Sequence, residues 1–169
     1  MRWLRSIVAL PGTVLVGVPA IITWISWSLG KPIEFSSPKA VQFWAALALA
    51  APGAFLAIWS TSMFFRHGDG TPAPWDPPRR FVVRGPYRHV RNPMILGVVL
   101  LLCAEALFLQ SWTIAAWAAA FLVGNMVYFP LIEEPALARR FGEDYDIYCR
   151  NVGRWVPRLT PWSHARRRS

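Results

Sequence analysis

Two clusters of polar residues in this chain have the types and spacing to bind a charged ligand. One is Arg88-His89-Val90-Arg91-Asn92-Pro93 and the other is Glu133-Glu134-Pro135. A carboxylate accepts hydrogen bonds from an ammonium or a sugar hydroxyl, and a guanidinium pairs as a fork with another carboxylate. Asn is a favoured N-cap and Pro a favoured first helical residue. A helix therefore starts at Asn92 and Pro93, and its free N–H groups and positive dipole end suit a carboxylate. Glu105 stands alone inside an apolar stretch. An acid there points to function by default, but its distance from both clusters favours a structural hydrogen bond. His89 has no second His, Cys or carboxylate at ligand spacing and reads as an interfacial histidine, with no metal implied. Cys103 and Cys149 form no metal or redox motif. Position alone leaves bland readings open. Glu133 and Glu134 also serve to close an apolar span and to favour the helix that Pro135 opens, and Arg88 and Arg91 also serve as topology signals.

The elements that must position these residues are apolar. Of 169 residues, 54% are hydrophobic and only 16% charged, yet the net charge is +9 and the mean hydropathy +0.32. Soluble domains carry about 25% charged residues. A chain both apolar and basic reads as a membrane protein, which excludes a disordered chain, a disulfide scaffold and a typical soluble enzyme domain. Four stretches carry at most one charge each: Ile7 to Leu29, Ala40 to Phe65, Met94 to Leu109 and Trp112 to Ile132. A bilayer core of ~30 Å needs about 20 apolar residues in a helix, so four spans are expected, the third short. The first is too long for a signal-peptide core and reads as an anchor. Pro11, Pro19 and Pro52 are tolerable within spans and kink them.

Lys31 and Lys39 lie between the first two spans, and every other basic residue falls on the opposite side. By the positive-inside rule both termini and the loop 66–93 are cytosolic. The arginines flank spans and do not form a single binding face, so anionic lipid headgroups are the expected partner and nucleic acid is not. Gln110 and Ser111 mark a tight hairpin between spans three and four, whose inner ends deliver both polar clusters to one place. The loop is irregular through its Gly- and Pro-rich first half, then extended from Phe81 to a turn at Tyr87. Leu137, Phe141, Tyr145, Tyr148 and Val152 recur at helical steps, which predicts an amphipathic interfacial helix after Pro135, with Gly142 as its weak point. The fold class is thus an all-α integral membrane protein of about four transmembrane helices plus that C-terminal helix. It forms a single domain, with 1–65 as two N-terminal helices and 66–169 as the polar-site core.

Val82-Val83-Arg84-Gly85-Pro86-Tyr87-Arg88-His89-Val90-Arg91-Asn92-Pro93-Met94 together with Glu133-Glu134-Pro135-Ala136-Leu137, Phe141-Gly142-Glu143-Asp144-Tyr145, Tyr148, Val152 and Pro157 resembles the isoprenylcysteine carboxyl methyltransferase-like family, which is related to the phospholipid methyltransferases. The resemblance covers roughly residues 79–159. It implies an integral membrane methyltransferase that binds S-adenosylmethionine at the cytosolic interface. It further implies that Arg79, Arg80, Phe81 and Val82 form a strand-like segment lining the cofactor, and that Tyr87, Asn92, Pro93, Met94, Ile95, Glu133 and Glu134 contact it. Arg91 is then the catalytic candidate, orienting an anionic acceptor or the cofactor carboxylate.

Two departures matter. Ile95 replaces a tyrosine, and Phe129 falls where the eukaryotic isoprenylcysteine enzymes hold a substrate-binding arginine. The implied acceptor is therefore lipophilic, a lipid or small molecule, with an isoprenylcysteine carboxylate less suited. The implied location is a membrane, the inner membrane of a bacterium. Two other readings share the layout, an NADPH-dependent membrane reductase of the sterol-reductase type and a non-catalytic transport or assembly protein.

Overall fold

The structure is a computed structural model that describes residues 8–31, 33–67 and 81–163. Among these residues it is all helical, without strands. A π-helical stretch Val8–Gly17 runs into α1, Val18–Ser28. Pro11 and Pro19 lack the N–H that a regular helix needs, which accounts for the wide turns ahead of α1. Then come α2, Val41–His67, a 3-10 turn Gly85–Arg88, and the hairpin of α3, Pro93–Phe108, and α4, Trp112–Tyr128. Two runs, Val41–Met63 and Trp112–Phe141, are long and apolar enough to cross a membrane. Gly12–Ser28 and Pro93–Phe108 are shorter apolar helices.

The hairpin forms as its sequence dictates. Ser111 caps α4, its hydroxyl accepting from Ile114 N at 3.4 Å, and Gln110 makes the turn at φ 45°. Ser36 N donates to Phe108 O at 2.8 Å, so the loop before α2 lies against the hairpin tip. The α2–α3 pair sets the distance between these elements. A Cβ at Gly97 would stand 2.8 Å from both Ala57 N and Gly53 O, so the two backbones approach closely through small residues. Two residues beyond Ala57 along α2, the Trp59 ring packs against Gly85, which sits at φ +54°.

The helix α4 does not end where Pro135 opens a new one. It passes through a π-helical stretch, Phe129–Glu133, directly into α5, Glu134–Phe141. Pro130 and Pro135 withdraw two N–H donors here, and the helix widens in place of breaking. The single amphipathic helix expected beyond it is two helices, α5 and α6, Glu143–Asn151. Gly142 divides them at φ 57°, a conformation that glycine alone adopts freely. The periodic stripe survives the break. Tyr145, Tyr148 and Val152 are buried, with Phe81, Leu137, Phe141 and Trp162 packed around them.

Candidate functional site

The polar site forms where the start of α3, the π-helical end of α4 and the segment after α6 meet. Asn92 sits at the N-cap of α3 with Pro93 in the first turn, as its sequence predicts. The side chain of Asn92 does not cap the helix. It is 8% exposed, and its Nδ2 has no partner among the described residues. Arg91 beside it donates from one guanidinium nitrogen to Glu134 Oε1 at 2.9 Å and to Cys149 Sγ at 3.0 Å, while its buried Nε has no partner among the described residues. Two adjacent residues therefore hold N–H donors that are shielded from water and unused. Such groups are costly to leave unpaired.

Glu134 is fully engaged. Arg154 donates to both of its oxygens at 2.7 Å, so two guanidiniums share one carboxylate. Its neighbour Glu133 is half-buried and makes no hydrogen bond or ion pair among the described residues. The two adjacent acids thus differ, one locked between arginines and one unpaired.

Tyr87 lies in the 3-10 turn and is buried. Burial raises the pKa of its phenol well above the ordinary value, and the nearby Tyr148 and Glu133 raise it further, so the phenol stays protonated. Tyr148 donates to Tyr87 O at 2.7 Å, and burial raises the pKa of Tyr148 as well. Phe81 stacks on Phe141 at 5.2 Å and meets Tyr148 edge-on at 5.3 Å. Val82 is buried, while Met94 and Ile95 are half-buried in the first turn of α3. The structure thus brings Phe81, Val82, Tyr87, Arg91 to Ile95, Glu133 and Glu134 around one end of the hairpin. Arg79 and Arg80, expected to belong with them, lie outside the described residues.

A family model described as phospholipid methyltransferase matches residues 41–144, more than half of the chain. The chain belongs to the phospholipid methyltransferase family. No curated protein and no solved structure matches it. In this family member the matched stretch starts with α2 and ends just inside α6.

Several of the residues that hold the site lie beyond the matched stretch and have no reading as site residues in the sequence. After α6 the chain turns back along residues 88–91 as a strap. Arg91 N donates to Gly153 O, Arg158 N to His89 O and Trp162 N to Arg88 O, each at 2.9 Å. Arg88 Nε returns a bond to Trp162 O at 2.6 Å, and His89 Nδ1 donates to Arg158 O at 2.9 Å. The His89 ring is therefore part of the scaffold. Arg154, in the same strap, reads in the sequence only as a topology signal, and Tyr148 as part of an apolar stripe and of the family resemblance, without a site role. Their partners lie 20 and 61 residues away, and no local pattern encodes such pairings. Phe129 is buried, edge-on to Trp155 at 6.0 Å. Glu105 departs from expectation. It makes no side-chain hydrogen bond among the described residues, and its Oε2 is buried without a partner.

Proposed function

We propose that this phospholipid methyltransferase family member transfers a methyl group from S-adenosylmethionine to a lipophilic acceptor at the cytosolic face of a membrane. The observation that supports this most directly is the pair of buried, unpaired donors, Arg91 Nε and Asn92 Nδ2, at the start of α3. Together with the free N–H groups of that helix they suit the carboxylate of an amino-acid moiety. The unpaired Glu133 carboxylate suits that moiety's ammonium or ribose hydroxyls. The donor set therefore fits S-adenosylmethionine, with Tyr87, Met94 and Ile95 as apolar walls and Phe81 and Val82 behind them. When bound, that cofactor supplies a sulfonium methyl group to an in-line nucleophile.

The task left to this chain is alignment and exclusion of water. Arg91 is the residue we assign to orienting the acceptor or the cofactor carboxylate. Glu134 is a positioning residue. By taking one nitrogen of Arg91, with its own charge balanced by Arg154, it leaves Arg91 Nε turned to the ligand. The proposed membrane arrangement has four spans, both termini cytosolic and residues 66–169 as the catalytic core. A lipid then reaches the site sideways and the soluble cofactor reaches it from the cytosol.

The acceptor we propose is a lipid or lipophilic small molecule. Phe129 offers no charge to a prenylcysteine carboxylate, and a buried unpaired charge costs several kcal/mol. The test begins with equilibrium binding of radiolabelled S-adenosylmethionine and of NADPH to the purified protein. Methylation of a membrane lipid extract is then compared with that of N-acetyl-S-farnesylcysteine. Binding of NADPH without S-adenosylmethionine would refute the activity. Methyl-ester formation on farnesylcysteine, abolished by Arg91→Ala, would refute the acceptor.

A further inference from the structure

Between the 3-10 turn and the end of the strap lies a pocket that shares no residue with the proposed methyl-transfer site. Val83, Arg84, Gly85 and Arg88 line it from the turn, and Trp162 and Ser163 from the strap, around a volume of about 410 Å³. Its two charged lining residues are both arginines, and no acid lines it. Arg84 is exposed and Arg88 half-buried.

The fold holds one of these charges in place and leaves both unspent. Arg88 and Trp162 bind each other twice. Trp162 N donates to Arg88 O at 2.9 Å, and Arg88 Nε donates to Trp162 O at 2.6 Å. The guanidinium is thus fixed by one nitrogen, and its two Nη groups are unburied and have no partner among the described residues. Arg84, four residues earlier, makes no hydrogen bond or ion pair among the described residues. Both walls are anchored as well. The Trp59 ring packs against Gly85, and the Trp162 ring packs on Tyr148 at 5.7 Å. The positive-inside rule counts charges in a loop and does not ask that an arginine be anchored. A guanidinium fixed in advance loses less freedom when it binds an anion.

Two accessible guanidiniums without a counter-charge select an anion, and the planar fork of Arg suits phosphate oxygens. A phosphomonoester carries close to two negative charges at neutral pH, which matches two guanidiniums. A phosphodiester carries one and leaves the second guanidinium unbalanced. The Ser163 hydroxyl adds a donor at the rim, and Val83 and Trp162 offer an apolar wall to the rest of the ligand. We infer that this pocket is a binding site for a phosphomonoester group, held by Arg84 and Arg88. Two sources share that chemistry, a soluble phosphomonoester and the headgroup of a monoester lipid such as phosphatidate. The inference does not rest on methyl transfer and needs neither its cofactor nor its acceptor.

The test uses the full-length protein without S-adenosylmethionine, in two arms. In detergent, phosphorus NMR titrations compare glycerol 3-phosphate, a monoester, with glycerophosphoglycerol, a diester. In nanodiscs holding dioleoyl phosphatidate and phosphatidylglycerol in equal parts, retained lipid is counted by native mass spectrometry. The monoester is expected to be preferred roughly ten-fold, the worth of one hydrogen bond between charged groups. A preference in the detergent arm alone assigns the site to a soluble phosphomonoester, and a preference in the nanodisc arm assigns it to the lipid headgroup. A preference in neither arm overturns the proposal. Arg84→Gln should weaken the preferred ligand about ten-fold, and Arg88→Gln should do the same at some cost to the strap. Arg84 has no protein partner among the described residues to lose, so Arg84→Gln should keep the melting temperature of the unsubstituted protein, and it is the variant that decides. Full affinity in Arg84→Gln would overturn the proposal and place the phosphate elsewhere, including beside Arg91.

Discussion

Removing the shared carboxylate of Glu134 should cost far more than removing either outer contact of Arg154. Glu134 accepts three hydrogen bonds, at 2.9, 2.7 and 2.7 Å, from two guanidiniums. The side chains of Arg91 and Glu134 are 13% and 15% exposed, and that of Arg154 is 30% exposed. Glu134→Ala leaves the largely buried Arg91 without a counter-charge. Breaking a buried pair by deleting one partner costs about 3–5 kcal/mol. Arg154→Ala leaves the Arg91–Glu134 pair standing, and solvent already screens part of the lost contact. Its cost lies between the surface and buried limits, roughly 1–2 kcal/mol. The double substitution Arg91→Ala with Glu134→Ala should cost less than the sum of the two single changes, because no orphan charge is left, with a coupling of about 0.5–3 kcal/mol. Thermal melting of the purified protein in detergent, followed by tryptophan fluorescence, reads the order of stability. The cofactor-binding assay on the same samples reads the positioning role, because Glu134→Ala should weaken S-adenosylmethionine binding below the melting transition as well. Equal melting of Arg154→Ala and Glu134→Ala, or strict additivity of the Arg91 and Glu134 changes, would refute the shared-carboxylate argument.

Glu133→Gln should leave the melting temperature nearly unchanged, since Glu133 has no hydrogen-bond partner to lose among the described residues, yet weaken S-adenosylmethionine binding about ten-fold or more, the value of a hydrogen bond to a charged group. Glu105→Gln should leave that binding intact, and equal losses in radioligand titrations would show that the inner cluster is misassigned. Gly97→Ala should destabilise the protein by about 1–3 kcal/mol, because its Cβ would stand 2.8 Å from backbone atoms of α2 that cannot yield like a side chain. An unaltered melting curve would mean that the two helices separate freely. Reporter fusions at Ser36, Gly70, Ser111 and the C-terminus should read out, in, out and in, and a cytosolic signal at Ser111 would end the four-span arrangement.

What the sequence discloses here is what short range encodes. Asn92-Pro93 starts a helix and Ser111 caps the next because capping needs only a few neighbouring residues. The apolar stripe from Leu137 to Val152 names the right buried face for the same reason. Gly142 is visible as a weak point, but its effect is not. Only the positive φ it adopts turns one helix into two. The π-helical exit of α4 is likewise latent in Pro130 and Pro135, yet a proline alone does not say whether a helix breaks, kinks or widens.

The division of labour between the two adjacent acids is the part no local pattern could supply. Glu133 and Glu134 are the same residue type one position apart. They are distinguished by where the strap brings Arg154 and by which face of the widened helix meets Arg91, 43 residues away. A π-helical turn places consecutive residues on faces that a regular helix would not. Here one carboxylate is anchored between two arginines while its neighbour has no hydrogen-bond partner among the described residues. The strap that achieves this lies beyond residue 144, where the family match ends. The residues we propose to face a ligand therefore lie within or just before the matched stretch's end, and the segment beyond it holds the backbone of residues 88–91 in place. Arg91 joins the two layers. Its backbone N–H is held by the strap, one of its guanidinium nitrogens by Glu134, and its Nε has no partner among the described residues.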